Sequence, residues 1–174
     1  MLYTIKIDKY ANDRFKVYED RFENPLIIGE KVGDPGSYFD AFVNETVSRG
    51  AEFVFYRADE TEILRIKRDF YDEEKKHTYF EKGEETGRVV SKVEEDHIVL
   101  DIDYKDIHEH MILNKGSKEF NLPDVGSIRV LKQGFSPFET LEIHLGKSNR
   151  LILLLGIAIY IWDVFVKNRT AFVD

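Results

Sequence analysis

Cysteine is absent from this 174-residue chain, which removes disulfides, thiolate nucleophiles and Cys-ligated zinc together. Proline is scarce at four residues, and no low-complexity tract or shift in composition marks a linker. The length fits one domain over residues 1–174. Positive charge is also in deficit: lysine and arginine number 25 against 33 aspartates and glutamates, a formal net charge of −8 with a pI near 5.2. Such a surface repels the phosphates of nucleic acids and anionic lipids unless a local patch overrides the average. The densest cationic stretches are Arg65, Lys67 and Arg68, then Lys75 and Lys76, and they lie beside Asp69, Asp72, Glu73 and Glu74. Nucleic acid is therefore not an expected partner.

Catalytic signatures are missing as well. There is no Gly-x-Ser-x-Gly elbow, Walker A loop, Gly-x-Gly-x-x-Gly turn or His-Glu-x-x-His pair. Without one, nothing selects a general acid or base among 33 carboxylates, and the expectation is a protein with no catalytic residue, no metal and no cofactor. The opening segment from Met1 to Lys9 alternates charged and apolar residues, unlike the continuous apolar core of a secretory signal. A cytoplasmic location follows as an expectation.

What the chain has in quantity is aromatic and β-branched residues, including thirteen Phe and nine Tyr, which suit a pleated, half-buried surface. Period-2 alternation recurs at Leu2–Ile7, Phe15–Val17, Leu26–Val32, Phe53–Tyr56, Ile63–Ile66, Thr78–Phe80, Val89–Val93, Ile98–Ile102, Ile107–Leu113, around Phe120, Ile128–Leu131 and Leu141–Leu145. Short turn sequences separate many of them, such as Ala58-Asp59-Glu60 and Glu81-Lys82-Gly83-Glu84. About twelve strands joined by such short connections form hairpins, hence an antiparallel sheet. The period changes once: Tyr38, Phe39, Phe42, Val43, Thr46 and Val47 fall three and four apart, predicting an amphipathic helix near 37–50.

Leu151 to Val166 is the one long apolar stretch, interrupted by a single charge at Asp163. Ser148 or Asn149 is expected to cap it, with Lys167 and Arg169 suiting its C-terminal end. A helix apolar on every side must be surrounded by lipid or by protein. Sixteen residues at ~1.5 Å each reach roughly 24 Å, short of a ~30 Å hydrocarbon core. A barrel of about eight strands fills itself, whereas a wider one has a lumen to fill. The expected fold is therefore mainly β: a closed antiparallel barrel of about twelve strands around a central hydrophobic helix near 149–167, with the additional amphipathic helix. In that setting Tyr160 and Trp162 each need a hydrogen-bond partner, and Asp163 needs the barrel mouth, a cation or backbone donors. The alternative is a tail-anchored membrane protein with a cytosolic β domain.

The strand run, the hairpin phrasing of Ala58–Arg68 and Lys82–Lys92, and the closing stretch Leu151–Ile159 together resemble the tubby C-terminal-like superfamily, which includes the LURP-one-related proteins and phospholipid scramblases. The resemblance spans nearly the whole chain, through patterns of residue class and not a fingerprint. It implies a cytoplasmic, non-catalytic binding or scaffold domain, with peripheral membrane or phospholipid contact, or a protein, as the partner. It assigns no ligand-binding residue, because no set of Lys and Arg here matches the basic pocket of tubby proteins. From the residues themselves, Arg65, Lys67 and Arg68 are the best candidates for an anionic headgroup, set against an ordinary solvated strand. His108 and His110 form a His-x-His pair whose imidazoles share one strand face, which makes a metal-dependent binder or enzyme a further alternative. On that face they would turn Glu109 inward. The acidic runs Asp72-Glu73-Glu74 and Glu94-Glu95-Asp96 lack the ligand spacing of a calcium loop and read as hairpin tips.

Overall fold

The computed structural model describes residues 1–8, 14–20, 22–32, 51–70, 74–94, 97–114, 117–131 and 138–166. Twelve strands lie in a single antiparallel sheet: β1 (Leu2–Asp8), β2 (Arg14–Glu19), β3 (Ile27–Val32), β4 (Glu52–Arg57), β5 (Glu62–Phe70), β6 (Lys75–Glu81), β7 (Glu84–Val93), β8 (His97–Tyr104), β9 (Ile107–Asn114), β10 (Glu119–Leu122), β11 (Gly126–Leu131) and β12 (Phe138–Leu145). Each of the twelve alternating segments is a strand. Neighbours in sequence are neighbours in the sheet from β1 through β9 and from β10 through β12, and β12 pairs with β1. The amphipathic helix expected near 37–50 lies outside the described residues.

Alternation sets the inside of the barrel. Tyr3, Ile5 and Ile7 on β1, Phe15 and Val17 on β2, Phe53 and Phe55 on β4, and Ile98, Leu100 and Ile102 on β8 are all buried. Register carries the stripe from strand to strand, pairing Ile5 with Val17, Phe53 with Ile66 and Phe55 with Leu64. Opposite Phe55 stands Gly29, where any Cβ would lie 2.3 Å from the Phe55 ring; the missing side chain makes room for the aromatic one. Outward positions instead carry Lys6, Lys16, Glu30, Arg88, Lys92 and Arg129, all exposed. This is the reverse of a lipid-facing barrel wall, which is apolar outside and polar within.

The C-terminal stretch is a helix, α1 (Leu151–Ile161), continued by a π-helical turn at Trp162–Val166. Residues Leu153 to Phe165 are buried without interruption, so protein surrounds the apolar rod. No helix among the described residues is long and apolar enough to cross a membrane. Gly156 lets the helix lie against the wall: a Cβ there would sit 2.9 Å from Cζ of Tyr79.

Two expectations need correction. The N-cap is Arg150, which makes no side-chain capping bond, in place of Ser148 or Asn149. Asn149 has φ 49°, in the left-handed region, and Ser148 is tied by its backbone N–H to the Asp124 carbonyl at 3.4 Å. The barrel is nearly closed, not closed: β9 and β10 end the sheet and share no ladder among the described residues. Pairing would need β10 to run alongside β9. It has only four residues, and Pro123 follows at once, unable to donate to a ladder. The seam also accommodates Glu109. It has the inward parity of Met111 and Leu113, yet it is exposed while they are buried.

Candidate functional sites

Three polar constellations stand out. Inside the barrel, Arg68 on β5 and His77 on β6 are direct cross-strand partners, and both reach Asp163 on the helix. Arg68 Nη1 donates to Oδ1 at 3.0 Å, and His77 Nε2 lies 3.0 Å from Oδ2. All three side chains are buried. Burial holds the His77 pKa below its ordinary value, outweighing the upward pull of Asp163. Nearby, Tyr160 Oη donates to the Lys75 carbonyl at 2.6 Å, and Trp162 Nε1 donates to Glu139, an inward residue of β12. The partners that the sequence required for Tyr160, Trp162 and Asp163 are therefore present. Phe15 packs edge-on against Trp162 with centroids 5.2 Å apart. Enclosed this way, the cluster is part of the buried core.

A pocket of about 560 Å³ opens at the barrel end where the helix begins. Its apolar wall includes Leu26, Ile27, Ile63, Leu151 and Ile152, and its polar rim includes Arg57, Glu81, Tyr104, Lys105 and Arg150. Tyr104 donates to Glu81, and Lys105 pairs with the same carboxylate at 2.9 Å. Burial, reinforced by Glu81, raises the Tyr104 pKa and keeps the phenol neutral. Arg150 pairs with Asp106 at 2.8 Å. Arg57 is exposed and forms no ion pair among the described residues. The first intrahelical bond of this stretch runs from Leu154 N–H to the Arg150 carbonyl at 3.1 Å. The N–H groups of Leu151 to Leu153 thus have no intrahelical acceptor, and these three residues are among those that line the pocket.

A shallower cleft of about 370 Å³ lies on the outer wall across β7, β8 and β9. Here His108 Nδ1 is 2.9 Å from Asp103 Oδ1, and His110 Nδ1 is 2.5 Å from Asp101 Oδ1. On the β7 side, Arg88 approaches Asp103 at 3.7 Å and Lys92 approaches Asp101 at 3.9 Å. Two rungs, each running from a cation through a carboxylate to an imidazole, therefore cross three strands. His97 stands apart, 3.1 Å from Glu94.

Arg65, Lys67 and Arg68 do not converge. Arg65 forks onto Glu62 at 3.1 and 2.8 Å and reaches Glu52 at 2.7 Å. Lys67 shares that outer face, 3.9 Å from Glu52 and over the Phe80 ring. Arg68 turns the other way, into the core. Reasoning from sequence missed the pocket, which is assembled from the ends of β1, β3 to β6 and β8 together with the helix start.

Comparison with protein-family models, with characterised proteins and with solved structures finds no match to this chain.

Proposed function

We propose that this protein is a non-enzymatic binding domain of the tubby-like type, whose ligand enters the pocket at the helix-start end of the barrel. One observation carries the reading: that pocket sets an apolar floor beside Arg57, an exposed cation that forms no salt bridge among the described residues. An apolar wall with a few converging polar groups is the usual form of a small-molecule site. The chemistry suits an amphipathic, lipid-like ligand with an apolar chain and an anionic or acceptor-rich head. Arg68, His77 and Asp163, the buried charged and titratable cluster of the barrel, are engaged with one another in the core, which favours binding over catalysis. A cytoplasmic setting at a membrane surface accords with this reading.

Calorimetric titration of the full chain with a short-chain anionic phospholipid, below its micelle concentration, tests it. Saturable binding is expected. Arg57→Glu should weaken it roughly tenfold or more, as loss of a charge-assisted contact does, and Leu26→Gln should weaken it through the apolar wall. Both side chains are exposed, so folding should survive. Flotation with neutral and with anionic vesicles then separates a free lipid from a bilayer. Failure to bind short-chain lipid or either vesicle would remove the reading.

A further inference from the structure

Independently of the pocket, we propose that His108 and His110 form a two-nitrogen chelate for a borderline transition-metal dication, with Asp103 and Asp101 orienting the two imidazoles. The strand supplies the spacing, because residues two apart share a face and lie roughly 6–7 Å apart along it. The register supplies the carboxylates, since Asp103 is the direct partner of His108 and Asp101 that of His110. Both contacts use Nδ1. A carboxylate can only accept, so each neutral imidazole carries its proton on Nδ1 and keeps the Nε2 lone pair for another partner. That carboxylate–histidine arrangement is the one that orients metal-binding imidazoles and raises their basicity. Here it occurs twice, side by side and in the same tautomer. The histidine side chains are 71% and 79% exposed, on the last strand before the seam.

The composition of the site narrows the ion. No group of three or more ligating side chains converges among the described residues, so the described residues supply two nitrogens, and water can complete the shell. Calcium and magnesium require oxygen ligands. Imidazole suits zinc, nickel and copper, and of the three Cu2+ binds most tightly to a given nitrogen site. Arg88 and Lys92 reach the two carboxylates from β7, across β8 from the histidines, and so anchor them without entering the chelate.

The test is titration of the full chain with Cu2+ in a non-coordinating buffer, followed by calorimetry and by electron paramagnetic resonance. One equivalent should bind with nitrogen hyperfine structure from two imidazoles. His108→Ala or His110→Ala should each lower the affinity at least about tenfold, and Asp101→Asn with Asp103→Asn should lower it roughly 10- to 100-fold, as loss of an orienting partner does. His97→Ala and His144→Ala, which change the other two imidazoles outside the core, should leave it unchanged. The proposal is overturned if no saturable uptake occurs, if uptake survives loss of His108 and His110 together, or if the paired aspartate variant binds as well as the parent. Any of these results leaves the rungs as charge pairs on a solvated sheet.

Discussion

Arg68 donates to Asp163 across 95 residues of sequence, at 3.0 Å, in the interior of the barrel. The bond ties the fifth strand to the last turn of the helix, and His77 holds the second oxygen of the same carboxylate. Desolvating charges is costly, and what survives removal of one partner is an uncompensated buried charge. Asp163→Leu should therefore destabilise the protein by about 3–5 kcal/mol. The double variant Arg68→Met with Asp163→Leu should cost less than the two single changes added together. Urea unfolding of the four proteins gives the coupling directly, and simple additivity would mean that the pair does not act as a unit.

Tyr79 presents a different balance. Its ring is fully buried against Gly156, and its hydroxyl has no hydrogen-bond partner among the described residues. A buried hydroxyl left unsatisfied costs about 1–3 kcal/mol, so Tyr79→Phe should hold or raise the melting temperature. Gly156→Ala sets two effects against each other. Alanine gains about 1 kcal/mol of helix propensity over glycine, but its Cβ would meet the ring at 2.9 Å. Overpacking typically costs about 1–3 kcal/mol, and a ring enclosed on all sides has little room to yield. The substitution should lower stability on balance. A stabilised Gly156→Ala protein would show that the contact relaxes freely.

The architecture was legible because two periodicities dominate the sequence. Alternation at Leu2–Ile7 or Ile98–Ile102 can satisfy only a sheet with one apolar face, and a sixteen-residue stretch apolar on every side can only be enclosed. Parity also read correctly along β5, where Leu64 and Ile66 point in and Arg65 and Lys67 point out. The same parity carried Arg68 inward. A basic cluster in the sequence is thereby split between two faces, which inspection of neighbouring charges does not reveal. What stayed hidden depends on distant parts of the chain meeting. Nothing local pairs Asp163 with Arg68 and His77, opens the seam between β9 and β10, or gathers Leu26, Arg57 and Leu151 around one pocket. The histidine pair lies between these cases: its shared face was legible, and Asp101 and Asp103 were among the groups that could converge on it, whereas the pairing of His108 with Asp103 and of His110 with Asp101 follows only from register.

The helix is the core of the barrel, and its removal should unfold the domain. Leu153, Leu154, Leu155, Ile157, Ile159 and Ile161 are all within 1% of complete burial. Fully burying such a side chain contributes about 1.5–3 kcal/mol, so six of them together are comparable with the whole ~5–15 kcal/mol stability of an ordinary domain. A chain ending at Arg150 should lose cooperative unfolding and become protease-sensitive. If the helix were instead an appended anchor, the same truncation would release a folded β domain. Limited proteolysis with circular dichroism distinguishes the two outcomes.

His77 makes stability depend on pH in a definite direction. Burial is the largest influence on it and lowers its pKa from the ordinary 6.5; Arg68 acts the same way, while Asp163 and Asp69 pull upward. In the unfolded chain the imidazole takes up its proton near the ordinary value, and in the folded chain it does so only at lower pH. Between those two points the unfolded state holds more protons, so stability rises with pH there. The contribution is complete above the unfolded value and is lost as pH falls toward the folded one. Urea midpoints of the parent protein should therefore decline as pH drops below 6.5. His77→Gln, although less stable at neutral pH, should decline less over the same interval. The exposed histidines are common to both proteins, so the difference between the two slopes isolates His77. Parallel slopes would show that His77 is not the group whose protonation opposes folding.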